Sequence, residues 1–372
     1  MINFEATANV GMEAVLKREV QALGLEDIRV VDGLVSMSGN MEDMARLNLH
    51  LRTAERVHWV LKRFRATTFT ELFDGVYDLP WPDIMPKTAN FITEAKSKKS
   101  TLFSLSDIQR ISEKAIVNKM QTRYKTEWFE KNGARYRIGI RIIEDIATIY
   151  LDTSGDGLHD RGYRQRSVKA PLTETLASGL VQLSYWNKDR MLVDPFCGSG
   201  TILIEAIMLA RKIAPGLNRR FDFEYWNIEG ARAKEMRKEA FGMIDYDSEL
   251  EIYGFDIDPK AIEATRINLD GLGLADDVRL IEKDVAHLDL GGEYGIIITN
   301  PPYGKRIEDR ESVKEINRAL GDLARSLPTW SEYIITADEG FEKGFGKRAD
   351  RKRKLFNGSI RTDYYQYYGP RP

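Results

Sequence analysis

From residue 12 to 23 the apolar residues recur at the three- and four-residue spacing of one helix face, and Gly24 ends the run. Around it the period drops to two. Residues 4–7 read as a strand, and 28–31 and 34–37 flank Asp32-Gly33, a dipeptide favoured in tight hairpin turns. The pattern predicts a helix over 41–57 and a strand over 58–64. A second α+β unit follows. It has a strand at 91–95, a helix at 105–124 behind the N-cap candidates Ser104 and Ser106, and strands at 135–141 and 147–151 bracketing Glu144-Asp145.

Near residue 165 the character changes. Short apolar runs at 191–193, 252–255, 278–281, 296–298 and 333–336 alternate with helical stretches at 201–211 and 259–269. That order predicts a parallel, doubly wound sheet. Residues 354–356 and 363–368 frame Asn357-Gly358, a second hairpin signal, so an antiparallel pair closes the sheet. Ligands on such sheets bind beyond the carboxyl ends of the strands.

Length and composition then narrow the class. With 372 residues, two or three domains are expected, and 42% hydrophobic with 30% charged residues reads as soluble and globular. No apolar run approaches the roughly 18 residues that span a bilayer, and the N-terminus lacks a signal pattern. A cytoplasmic protein is the expectation, without a membrane partner. One cysteine, Cys197, excludes an internal disulfide, and with only four histidines no metal site is expected. The net charge of −2 conceals three basic runs: Lys96, Lys98 and Lys99; Arg161, Arg164 and Arg166; and KRADRKRK at 347–354. Each alone suits a solvated surface, whereas three together suit contact with phosphates.

The chemistry stands at strand ends. Asn300-Pro301-Pro302-Tyr303 follows the run 295–299. The Asn300 side-chain oxygen and the Pro301 carbonyl can accept both hydrogens of one exocyclic amine, while Tyr303 stacks on the ring that carries it. This is equipment for methylating the amino group of a base. Upstream lies Asp194-Pro195-Phe196-Cys197-Gly198-Ser199-Gly200-Thr201, a turn between strand and helix. Position 203 is Leu where a dinucleotide loop wants Gly or Ala, and no Lys precedes Thr201 as a P-loop requires. S-adenosylmethionine, which has no phosphate, fits better. Asp194 suits its amino-acid end, Asp256 the ribose hydroxyls, and Asp284 with Val285 the adenine. Gly198 and Gly200 let the backbone approach, with Phe196, Thr201 and Ile257 beside them. Each acid alone could be a helix N-cap, and for Asp258 before Pro259 that reading is preferred.

In the order DPFCGSGT, GFDID, KDV and NPPYGKR the chain resembles class I methyltransferases of the amino-methylating group. It is most similar to the bacterial large-subunit ribosomal RNA (guanine-N2)-methyltransferases that carry a THUMP domain. GARYRIGIRI, LDTSGDGLHDRGYR and the element Lys354-Leu355-Phe356-Asn357-Gly358 carry that likeness. The resemblance implies a ferredoxin-like domain over 1–65, a THUMP RNA-binding domain over 66–160, and a Rossmann-like methyltransferase domain with a mostly parallel seven-stranded sheet over 161–372. It implies methyl transfer to guanine N2, with ribosomal RNA as the expected partner. A transfer RNA enzyme, an adenine-N6 methyltransferase of DNA or RNA, and a non-catalytic RNA-binding factor are the alternatives. It further implies that Thr173 leads a helix across the cofactor methionine, though Pro171-Leu172-Thr173-Glu174 is also simply a good helix start. Tyr303, Lys305, Arg306, Lys354 and Asn357 are the expected substrate contacts, with Lys305 and Arg306 equally suited to plain surface. The aromatic-rich insertion at 215–249 is left without a role.

Overall fold

A computed structural model describes residues 1–31, 33–167, 171–226, 228–303 and 310–371. Its strands make two seven-stranded sheets. The first contains β1 (Ile2–Ala8), β2 (Glu26–Val31), β3 (Leu34–Gly39), β4 (Ala54–Arg65), β5 (Asn90–Lys98), β6 (Arg135–Ile143) and β7 (Ile146–Asp152). Their order is β2-β3-β1-β4-β7-β6-β5. β4, 12 residues long, pairs antiparallel with β1 on one edge and with β7 on the other. The sheet is therefore continuous across residue 65. Leu16, Leu47, Leu72 and Ile116 from four helices bury against Phe4, Val57, Ile138 and Ile149 in a single core.

The helix expected over 41–57 is shorter, Asp43–His50. Two causes end it. The half-buried Glu19 side chain accepts from the amides of Arg52 and Thr53 at 3.0 and 3.2 Å, removing them from any helical ladder. From Ala54 onward the chain then runs as the long strand β4. By contrast, the helix Leu105–Tyr124 occupies the expected residues.

The second sheet contains β8 (Leu192–Asp194), β9 (Ile252–Asp256), β10 (Arg279–Glu282), β11 (Ile296–Thr299), β12 (Ser331–Thr336), β13 (Arg351–Asn357) and β14 (Ile360–Tyr367). The order β10-β9-β8-β11-β12-β14-β13 is parallel from β10 to β12 and antiparallel at β14 and β13. From β8 the chain winds outward through β9 and β10, then returns to the other side of β8 at β11. The direction reverses between β8 and β11, and such a switch opens a crevice at the strand ends.

In the last hairpin Asn357 pairs with Ile360, so Gly358 and Ser359 make the turn, with Gly358 at φ +60°. The turn lies one residue later than the Asn-Gly signal suggests. Asn357 belongs to the strand and is 8% exposed.

The insertion packs away from the strand ends. Phe221, Phe223 and Trp226 bury in the core of the first sheet. Trp226 stacks on Tyr136 with centroids 4.8 Å apart, and its Nε1 donates to the Arg135 carbonyl at 2.7 Å. Of the basic run Arg161, Arg164 and Arg166, read from sequence as an open surface, only Arg166 is exposed. Arg161 is 2% exposed, donating to the Leu158 and Arg52 carbonyls and pairing with the buried Glu205. Arg164 pairs with Glu174 and donates to the Leu172 carbonyl. These guanidiniums fasten the segment to the fold. Among the described residues no helix is long and apolar enough to cross a membrane.

Candidate active site

A cavity of about 840 Å³ opens at the β8–β11 switch. Asp194, at the end of β8, is 1% exposed; its Oδ1 accepts from the Phe196 amide at 3.1 Å and from Thr299 Oγ1 at 2.6 Å. Burial pushes its pKa up to about 7. Asp256, ending β9, accepts from the Gly198 amide at 3.0 Å and from the Asp258 amide at 3.0 Å. Burial raises this carboxyl too, against those amides, which favour its charged form. Asp284, beyond β10, accepts from the Ala286 amide at 2.9 Å and so caps the short 3-10 turn Val285–His287. Asp258 caps its helix through the Lys260 amide at 2.9 Å, as its place before Pro259 suggested.

On the strand beside β8, Asn300 and Pro301 follow β11 into the same cavity. Asn300 Oδ1 is buried and has no hydrogen-bond partner among the described residues. A buried carbonyl left unpaired costs about 1–3 kcal/mol, and at the cavity wall this oxygen is free to accept from a ligand N–H. The Tyr303 hydroxyl accepts a long hydrogen bond, 3.4 Å, from Asn357 Nδ2. Cys197 lines the cavity with its thiol pushed up by burial, which keeps it neutral and unreactive.

The cavity thus gathers Asp194, Phe196, Gly198, Thr201, Asp256, Ile257, Asp284, Val285, Asn300, Pro301 and Tyr303. Four expected residues stand outside its wall. Thr173 is the N-cap of the helix Glu174–Leu183, and Pro171 and Leu172 line the cavity instead. Gly200, at φ +81°, faces the helix Pro259–Asp270, where a Cβ would stand 2.6 Å from Thr265 Cγ2. It permits close packing rather than ligand approach. Lys354 turns its Nζ over the Phe356 ring at 5.4 Å, and Asn357 reaches the site only through Tyr303. Lys305 and Arg306 lie outside the described residues. Lys283, Ser199 and Ile316 line the cavity without having been singled out. Lys283 was legible as the residue before Asp284; Ile316 was not, because only tertiary packing brings the helix Arg310–Ser326 over the strand ends.

The model of the RMKL-like methyltransferase domain matches residues 161–366, over half of the chain. The chain belongs to the RMKL-like methyltransferase family. Ahead of that domain, 3–58 match the RlmL ferredoxin-like domain and 66–152 the THUMP domain. YpsC of Bacillus subtilis (strain 168), which carries the name of an RNA methyltransferase, is 43% identical over 366 residues, 98% of this chain and 95% of YpsC. The ribosomal RNA large subunit methyltransferase K/L of Methylococcus capsulatus is 32% identical over 375 residues, covering 96% of this chain and 50% of that protein. This chain therefore spans about half the length of that relative. The crystal structure of SMU.472 complexed with SAH is 42% identical with a TM-score of 0.93, covering 100% of this chain and 99% of that one. The RMKL-like domain is thus the Rossmann-like unit whose switch-point cavity holds the candidate residues.

Proposed function

We propose that this chain is an S-adenosylmethionine-dependent RNA methyltransferase acting on the N2 amine of a guanine, with large-subunit ribosomal RNA as the substrate. The observation that carries the reading is the buried, unpaired Asn300 oxygen in the same cavity wall as Asp194, at the end of the adjacent strand. The relatives' names and the SAH-bound structure support the cofactor and the RNA class. The cavity suits the cofactor on its own terms. Its volume is ample, a buried carboxyl awaits a cation, and Asp256 and Asp284 stand at successive strand ends.

Asp194 would face the ammonium, Asp256 the ribose, and Asp284 with Val285 the adenine. When bound, the cofactor supplies an electrophilic methyl group. An aromatic amine is a poor nucleophile because its lone pair is delocalised into the base. Asn300 Oδ1 and the Pro301 carbonyl accept its two hydrogens, favour a pyramidal nitrogen and so localise that pair. The acceleration comes from positioning and from acceptors facing developing positive charge. Tyr303 stacks on a guanine that has left its helix or stands in a loop. Substrate selection is assigned to the units at 1–65 and 66–160, and chemistry to 161–372.

Incubation with S-adenosylmethionine and ribosomal RNA, followed by nucleoside mass spectrometry, tests this. N2-methylguanosine is the expected product. N6-methyladenosine would replace guanine by adenine, and methylation of DNA alone would overturn the substrate class.

A further inference from the structure

Asn268 lies on the helix Pro259–Asp270, behind the loop that follows Asp194, and is 1% exposed. Its carboxamide makes four hydrogen bonds, using both N–H groups and both acceptor directions. Oδ1 accepts from the amides of Gln165 and Arg166, each at 2.9 Å. Nδ2 donates to the carbonyls of Arg166 at 2.9 Å and Ser199 at 3.0 Å. Two donors on one side and two acceptors on the other suit an amide and no other side chain of this size.

Thr265, one turn earlier, donates its hydroxyl to the Gly198 carbonyl at 2.8 Å. The helix therefore holds two successive carbonyls of the loop. In a planar trans peptide the N–H points opposite to the C=O. Drawing the Gly198 carbonyl to the helix turns the Ser199 amide away from it, toward the cavity that Ser199 lines. The other end of Asn268 grips the segment leaving the first sheet unit, which runs on to Pro171 and Leu172 on the cavity wall.

We propose that Asn268, together with Thr265, positions the cofactor loop: they aim the Ser199 amide at the ligand and fix the inter-unit segment against it. Neither residue lines the cavity; both act through the backbone. The proposal rests on the cavity being the S-adenosylmethionine site, and the test separates the two.

Asn268→Asp keeps the shape but places an oxygen against two carbonyls. As a carboxylate it repels them; as a neutral acid its O–H satisfies one. Calorimetric titration with S-adenosylhomocysteine across a pH series reads the difference. Near pH 9 the variant should bind roughly 10- to 100-fold more weakly than wild type, the scale of a broken buried hydrogen bond. Burial and the facing carbonyls raise the new acid's pKa, so the gap should narrow several-fold toward pH 6. A loss from general loosening would not close on acidification. Thr265→Val should also weaken binding, and Thr265→Ser, which keeps the hydroxyl, should restore it. Wild-type affinity in Asn268→Asp at every pH, a gap indifferent to pH, or equal affinity in Thr265→Val and Thr265→Ser would each overturn the positioning role. If Asn268→Asp does not fold, the Thr265 pair decides alone. Absence of binding by wild type would instead remove the cofactor reading itself.

Discussion

Asn300 combines two features: its side-chain oxygen is buried without a partner among the described residues, and the residue lines the cavity at the end of β11. Asn300→Ala should cut methyl transfer by roughly 100- to 1,000-fold while S-adenosylhomocysteine affinity stays within a few-fold, the pattern of a lost transition-state acceptor. Single-turnover rates beside calorimetry check it; half-retained activity would end the acceptor role. Asp194 predicts a pH effect. Its pKa in the fold, about 7, lies above its ordinary 3.8. Between those values the folded chain keeps a proton that the unfolded chain has released, so stability falls as pH rises through the window and levels off above it. A cofactor ammonium favours the carboxylate, so binding near pH 7 should release a proton and tighten as pH rises. Calorimetry in buffers of different ionisation enthalpy should show that release in wild type and none in Asp194→Asn. Asp194, Asp256 and Asn300 were legible because strand ends put them where ligands bind. Thr265 and Asn268 were not, because their work depends on which loop the helix packs behind.

The elements were read well where one period dominates, as in Leu105–Tyr124 and Thr201–Ala210. They were misread where a distant residue decides: Glu19 ends the helix Asp43–His50 from across the chain, and no local pattern announces that. The insertion shows the same limit. Its aromatics announced burial but not the surface they bury against, which proves to be Tyr136 and the first core. Trp226→Ala should cost about 3–5 kcal/mol, the usual range for truncating a buried tryptophan. The urea midpoint should fall accordingly, with S-adenosylhomocysteine affinity little changed in the folded fraction. Weakened cofactor binding without a stability loss would mean that the insertion reaches the cavity after all.

For the whole molecule, substrate choice is expected to reside in residues 1 to about 160, since a pocket for one guanine cannot distinguish it from other guanines. A chain beginning near 160 should bind S-adenosylhomocysteine and lose RNA affinity. The loss should shrink at high salt, where the intact protein also forfeits phosphate contacts. That shortened chain exposes Phe221, Phe223 and Trp226, so cofactor binding must first show that it is folded. If it then methylates the same nucleotide at a comparable rate, the first half is not the reader. The two matched N-terminal domains lie in one sheet joined at β4, and the insertion closes their core from within the third. In a chimera between two relatives, exchanging residues 1–65 alone would pair foreign strands along β4, and exchanging 1–160 alone would seat a foreign tryptophan on Tyr136. Exchanging 1–160 together with 215–242 keeps that first core from one parent. An exchange of the N-terminal half that keeps this core matched therefore takes two stretches of gene, separated by the linker and the cofactor loop.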